Sequence, residues 1–525
     1  MDTQDKNRFF NYRPFLSICL FFVAGIICVV NFYIGKAFNI VLATIMCICL
    51  ILTFIIKLIK SKSQKLFKLL SIVIAFAVSA GLSVCFIELY KAKPNYNGEY
   101  LVSGRVCERT YLTDKDKVVI TLDNVYVTSL ETLEKDGING KVRLYLNLGT
   151  GNSEGFVLGE EVYGTTELSK IKLFDNKRNN FSLYNKKIYY LGFGEEDDIV
   201  SKNKINPTFL EKIKNKVKDS LDANLSHDYS ELAYTMLFGD KAGLSEEIKA
   251  GYSASGIGHL LAVSGLHVGF IVTMLSFILK KCKANRAVTF WVIISVVFLY
   301  ALLCGFTVSV LRAFIMTVVM LYARLRLFQY DSLSSLSVAA LIILISNPLW
   351  LFDAGFQLSF LAVLGIIILA PIFTRFFSKF LHKKLAGTLA VCISAQIAVL
   401  PVMFTCFSTF SIFSVITNLL CIPIASVAFM FLFVIVILSL IIPPLGILAY
   451  VFEALMKVVT GISSITGAIS IANSEQWTIL LFSIVLLVCA MLASDYLFFK
   501  GKGKKIAVSC LAVGVFVSFA MIFII

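Results

Sequence analysis

The residues best suited to chemistry stand in one stretch, 251–270. It reads GYSASGIGHLLAVSGLHVGF and carries two of the four histidines, His259 and His267. Ser264 and His267 are three residues apart, a spacing that puts hydroxyl and imidazole on one helical face, as a nucleophile and its base require. No neighbouring residue offers a third orienting group or an oxyanion hole. The same groups also suit helix capping and interhelical hydrogen bonds, or the wall of a wet passage. If the stretch is a single helix, Gly251, Ser255, Gly258, Ala262, Gly265 and Gly269 form a stripe of small residues that lets another backbone come close.

The elements that hold this stretch are membrane-spanning. Hydrophobic residues make up 58% of the 525 and charged ones 15%, which excludes an ordinary soluble domain. Runs long enough to cross a hydrocarbon core of about 30 Å recur near 15–33, 38–59, 67–90, 257–279, 287–304, 306–322, 332–346, 354–371, 385–405, 411–441, 444–471, 477–498 and 506–525. The expected fold is an α-helical polytopic membrane protein of about 11–13 spans, with a small OB-like β-barrel inserted after the third. Its expected divisions are 1–92 (three spans), 93–205 (barrel), 206–255 (interfacial helices) and 256–525 (polytopic domain).

The formal charge of +15 suggests a nucleic-acid surface until it is located. Residues 91–255 hold 23 basic and 25 acidic side chains, so the excess lies in the spans and their short loops. Alternate loops carry it: Lys6/Arg8/Arg13, Lys60/Lys62/Lys65, Lys280/Lys281/Lys283/Arg286, Arg324/Arg326, Arg375/Lys379/Lys383/Lys384 and Lys500/Lys502/Lys504/Lys505. Basic loops resist translocation, so these loops and the N-terminus are expected in the cytoplasm and the polar region outside.

Several chemistries find no residues to run them. The sequence has no H-E-x-x-H or C-x-x-C grouping and no G-x-x-x-x-G-K-S/T phosphate loop. Cys107 stands alone in the polar region, so no disulfide forms within it. No metal, no cofactor and no enzymatic activity are expected.

In the polar region, Val142, Leu144 and Leu146 alternate with Arg143, Tyr145 and Asn147, and Val118, Ile120, Leu122 and Val125 make a second strand-like run. The G-R-V at Gly104 and the G-E-E-V at Gly159 read as an early and a late barrel strand. Lys170, Lys172, Lys177, Arg178, Lys186 and Lys187 interleave with Phe174, Phe181, Tyr184, Tyr189 and Tyr190. Such a mixture suits sequence-tolerant contact with a single strand, or a barrel edge whose aromatics pack at the membrane. Leu210, Ile213, Val217, Leu221 and Leu225 recur at helical spacing among Lys212, Lys214, Lys216 and Lys218, as in a helix at the membrane surface with snorkelling lysines.

The string HLLAVSGLHVG resembles the signature of the ComEC family, channels through which bacteria draw one strand of incoming DNA across the cytoplasmic membrane. LLCGFTVSVLRA with Arg312, Asp331, NPLWLFDAGFQLSF with Asp353 and Gln357, AQIAVLP with Gln396, and NLLCIP with Asn418 follow in the family's order. The resemblance departs at Asn180-Phe181-Ser182, where the family commonly has Gly before the Phe and Asp after it. The chain ends at Ile525 in an apolar run, so the metallo-β-lactamase-like domain of many relatives, and its nuclease role, are not expected.

The resemblance implies a passive route for single-stranded DNA in the bacterial cytoplasmic membrane, served by an extracellular DNA receptor, a cytoplasmic ATP-driven motor and a separate nuclease. A transporter of another polar or lipid-linked cargo on the same scaffold is the alternative. The conduit would be lined or braced by His259, Ser264, Gly265, His267, Arg312, Asp331, Asp353, Gln357, Gln396 and Asn418. Weak, multiple polar contacts suit conduction. An arginine at mid-depth costs about 2.5–3.5 kcal/mol if unpaired. Arg312 therefore needs Asp353 or Asp331, a cage of carbonyls, water, or the strand itself.

Overall fold

The computed structural model describes residues 13–34 and 64–472, apart from short pieces at 92, 113–116, 131, 148–155, 157–158, 174–179, 203–207, 407–408, 412, 440–445 and 468–469. The spans expected near 38–59, 477–498 and 506–525, and the basic pair Lys177 and Arg178, lie outside the described residues.

Two apolar helices begin the fold, α1 (Pro14–Ile34) and α2 (Gln64–Lys91). They pack closely because Gly25 has no side chain; a Cβ there would strike the Ser79 hydroxyl. The chain then forms β1 (Gly98–Leu112), β2 (Lys117–Ser129), β3 (Lys135–Gly137), β4 (Lys141–Asn147), β5 (Glu161–Lys170), a short helix α3 (Phe181–Asn185), β6 (Ile188–Glu195) and β7 (Ile199–Lys202).

Five of these strands close in the order β1-β2-β4-β6-β5 and back to β1, with β4–β6 the parallel pair. This is the strand order of an OB-like barrel. Val142, Leu144 and Leu146 fill its interior from β4, while their neighbours face out. Gly192 on β6 leaves room for Leu144, since a Cβ there would collide with it. Closure leaves few unpaired edges, and β3 on β2 and β7 on β5 cover part of what remains.

Three helices lead back to the bundle: α4 (Phe209–Asp222), α5 (His227–Phe238) and α6 (Glu246–Ala254). A Thr208/Glu211 capping box starts α4, and Val217 and Leu221 bury its apolar face. Snorkelling does not describe Lys218, which is held by Asp222 (3.1 Å) and Glu231 (2.7 Å). Lys214 lies 5.5 Å above the Phe238 ring. Arg105 of β1 pairs with Glu211, tying the barrel to α4.

The bundle continues with α7 (Gly265–Lys281), α8 (Arg286–Leu303), α9 (Val308–Arg326), α10 (Ser332–Ser346), α11 (Ala354–Phe377) and α12 (Lys383–Cys406). It closes with β8 (Thr409–Ser411), α13 (Ser414–Ser439), α14 (Gly446–Gly467) and β9 (Ser470–Ala472). Among the described residues, seven helices are long and apolar enough to cross a membrane, and Pro14–Val30 and Ser332–Ser346 are shorter apolar stretches. The chain is thus a multi-pass membrane protein. β8 and β9 pair antiparallel, joining the start of α13 to the end of α14.

The last turns of α7, α9 and α11 hold Lys280 and Lys281, Arg324 and Arg326, and Arg375. Short connections alternate the helix directions, so these turns gather at one end of the bundle. The barrel docks at the other end, on the Lys91 end of α2 and on the 3₁₀ turn Pro348–Phe352 between α10 and α11. Phe181 stacks on Phe352 with centroids 5.0 Å apart. Asn185 donates to the Leu349 carbonyl at 3.4 Å and accepts from the Asn347 amide at 3.1 Å.

Candidate functional site

The stretch 251–270 is not one helix. Gly256, with φ +79°, ends α6 in a left-handed turn, and the Ile257 N–H returns to the Tyr252 carbonyl at 3.0 Å. A short 3₁₀ turn follows at Gly258–Leu261, and Ser264 then caps α7. The expected stripe of small residues is therefore divided. Gly251 faces Ser463 of α14, Gly265 faces Arg312 of α9, and Gly269 faces open space.

The break lies along α13. Gly256 packs against Ser414 at the start of that helix, and His267 packs against Phe429, ring centroids 4.5 Å apart. Ser414 and Phe429 are separated by about 22 Å of helix. Between them Asn418, Cys421 and Ala425 complete one buried face. The break thus has α13 at both its ends, and non-helical backbone at membrane depth is tolerated only inside protein or beside water.

Ser264 and His267 act as a reciprocal cap. The Ser264 N–H donates to His267 Nδ1 at 3.1 Å, and the Ser264 hydroxyl accepts from the Leu266 N–H at 3.2 Å. With its Nδ1 lone pair engaged, the neutral ring carries its proton on Nε2. The Nδ1 to hydroxyl distance is 3.4 Å, longer than an activating contact needs. His267 is fully buried and its Nε2 has no hydrogen-bond partner among the described residues. His259, in the 3₁₀ turn, is exposed, whereas Ser264 is half-buried.

Arg312 lies in the second turn of α9, nearer its start than the middle, and is 7% exposed. Neither expected carboxylate reaches it. Asp331 takes Arg13 instead, through two contacts of 2.8 Å, and caps α10 by accepting from the Ser334 N–H. Asp353 caps α11, accepting from the N–H groups of Gly355 and Phe356 at 2.8 and 3.2 Å. Helix starts offer carboxylates unpaired N–H donors, and both aspartates are used there. Arg312 donates to the Ser359 carbonyl, and its guanidinium carbon lies 5.9 Å from the Phe360 ring centre.

Gln357 donates to the Leu351 carbonyl at 3.0 Å, bracing the turn on which the barrel rests. Gln396 is half-buried on α12, and Asn418 is buried with its Oδ1 unpartnered among the described residues. Glu453 and Lys457 pair at 2.8 Å, and Glu453 also accepts from the Ser226 hydroxyl at 3.0 Å.

Among the described residues, the basic and aromatic stretch presents no stackable ring; Phe174 lies outside them. Phe181, Tyr184, Tyr189 and Tyr190 are buried, and Tyr90 of α2 packs on Tyr184 and Tyr189 at 5.1 and 5.7 Å. These rings are the cement between barrel and bundle. Lys170 donates to the carbonyls of Lys91 and Lys93, whereas Lys172, Lys186 and Lys187 remain exposed. Sequence reasoning missed Arg13, Asn185, Asn347, Ser359 and Phe429. Each pairs across more than forty residues, and only the NP dipeptide at Asn347 left a local sign, that of a turn.

Fold and site define a polytopic helical membrane protein with a closed barrel at one end and a broken, polar helix start within the bundle. The family model described as Competence protein matches residues 236–495, covering this break and the helices around it. Through that region the chain is a ComEC-like member of the competence-protein family. ComE operon protein 3 of Bacillus subtilis (strain 168) is 30% identical over 199 residues, 38% of this chain and 25% of that protein. An uncharacterized protein of Aquifex aeolicus (strain VF5) is 29% identical over 168 residues, 32% of this chain and 38% of that protein. The chain thus aligns with less than two fifths of either relative. No solved structure matches it significantly.

Proposed function

We infer that this chain serves DNA uptake in competence, as a passive conduit for single-stranded DNA across the bacterial cytoplasmic membrane. The observation that carries this reading is the coincidence of the family match with the broken segment and its polar wall. Around the break, the hydroxyls of Ser411 on β8 and Ser414 on α13, Asn418 Oδ1 of α13 and His267 Nε2 of α7 are buried without partners among the described residues. Unpaired buried groups of this kind call for ordered water, and a wet seam is what a passage through helices requires.

On this reading the basic ends of the helices and the N-terminus face the cytoplasm, and the barrel stands outside over the entrance. The chain supplies no energy and no bond cleavage. A DNA receptor delivers the strand, an ATP-driven motor pulls it, and a separate nuclease removes its complement.

The test is uptake of labelled DNA by a deletion strain carrying the wild-type gene, His267→Ala or Arg312→Ala. Uptake should vanish in the deletion strain, return with the wild type, and fall at least tenfold with either variant. Uptake unaffected by the deletion would end the proposal. Alkaline phosphatase fused within the barrel should be active and a fusion near Arg326 inactive; the reverse pattern would invert the topology.

A further inference from the structure

Two sources of positive potential meet where α7 begins. The first N–H groups of a helix have no acceptor within it and form the positive end of its dipole. Arg312 lies against this end: a Cβ at Gly265, the first residue of α7, would collide with Nη2 and come within 3.4 Å of Ala313 Cβ. A guanidinium and a helix N-terminus repel each other unless an anion lies between them.

Among the described residues no carboxylate pairs with Arg312, and the nearest candidates by sequence, Asp331 and Asp353, cap other helices. One of its five N–H donors is taken by the Ser359 carbonyl, while Nε is buried and unpartnered. Burial of a cation with donors left open is costly, and an oxyanion removes both the repulsion and the unmet donors.

We propose that the start of α7 and the Arg312 guanidinium together form a binding site for one phosphate-class oxyanion, with Gly265 kept bare so that the guanidinium can reach the helix end. Gly265 lets the charge approach the helix end, and Ser359 and Phe360 of α11 hold the guanidinium in place. The ligand is a phosphodiester or phosphate monoester carrying one or two negative charges. Its identification as a DNA phosphate rests on the conduit reading; a phospholipid headgroup has the same chemistry. A single such site, flanked by the Phe360 ring, gives a moving strand one weak foothold rather than a trap.

The test uses the full chain in phosphatidylcholine nanodiscs, titrated with inorganic phosphate at constant ionic strength while thermal unfolding is followed. Phosphate should raise the wild-type midpoint, and chloride should not. Arg312→Gln and Gly265→Ala should each remove the rise, and Arg312→Lys, which keeps the charge but loses the fork, should at least halve it. No rise in the wild type, or an equal rise in every variant that folds, overturns the site.

Anisotropy of a labelled oligo(dT) 20-mer then separates the two proposals. Tenfold weaker binding in Arg312→Gln assigns the site to the strand. A phosphate response dependent on Arg312 without oligonucleotide binding by the wild type keeps the site and rejects the DNA conduit. Binding of the oligonucleotide unchanged by all three variants, with no phosphate response, rejects the site and keeps the conduit. Replacing phosphatidylcholine by phosphatidylglycerol identifies a lipid source if it raises the wild-type midpoint, leaves Arg312→Gln unmoved and abolishes any further response to phosphate.

Discussion

Arg13 and Asp331 meet in a two-pronged ion pair, Nε to Oδ2 and Nη2 to Oδ1, each 2.8 Å. The pair fastens the residue before α1 to the residue that caps α10, 318 positions away. Its forked geometry makes it stronger than a single-pronged surface pair.

Asp331→Asn should therefore lower stability by about 1 kcal/mol, read by unfolding in mixed micelles. Burial pushes the Asp331 carboxyl up, but hydrogen bonds from Arg13 and Ser334 outweigh it and hold it below the ordinary range. A depressed folded pKa gives stability that is full above the unfolded value, about 3.9, and lost as pH falls through the folded one. The wild type should lose more stability than Asp331→Asn in that acid window. Parallel acid curves for the two proteins would contradict the assignment.

Phe352→Ala should loosen the barrel without unfolding it. Removing the stacked ring forfeits about 1 kcal/mol of ring contact beyond simple burial. Hydrogen exchange should accelerate in residues 180–190, while the barrel interior at 142–146 stays protected. Acceleration in both regions together would show that barrel and bundle unfold as one.

Ser264→Ala should cost about 1 kcal/mol by uncapping α7. A serine-reactive probe should label wild type and variant alike at background, because the hydroxyl and imidazole serve the backbone. Covalent labelling lost only in Ser264→Ala would restore the nucleophile reading.

Gly365→Val should force α11 and α12 apart. A Cβ at Gly365 would strike Ala398 and come 2.7 Å from the Ser394 carbonyl. Overpacking at a close helix crossing costs about 1–3 kcal/mol. Enlarging the gap with Ala398→Gly should recover part of the loss, and an absence of recovery would place the strain elsewhere.

The barrel was legible because a period of two leaves an unambiguous trace: Val142, Leu144 and Leu146 turn inward, and strands fall where G-R-V and G-E-E-V stand, the first in the middle of β1 and the second at the start of β5. The helices were legible from apolar length. The break at 255–264 was not, since small residues at steps of three and four suit a continuous helix as well as a turn, a cap and a second helix. Composition also concealed the direction of Phe181 and Tyr184, because rings that stack on bases and rings that cement a domain are the same rings. For Arg312 a carbonyl was among the partners expected, but not which one: the acceptor is the main-chain oxygen of Ser359, and a carbonyl belongs to every residue.

The short ladder between Thr409–Ser411 and Ser470–Ala472 shuts the open end of the hairpin made by α13 and α14. Two rods joined at both ends cannot scissor. If the seam beside His267 widens for cargo, the pair must rock as one paddle, with Phe429 swinging away from the imidazole. The width of the opening is then governed by the tilt of that paddle, and a disulfide across the ladder would leave passage intact, whereas one between α13 and α7 would stop it.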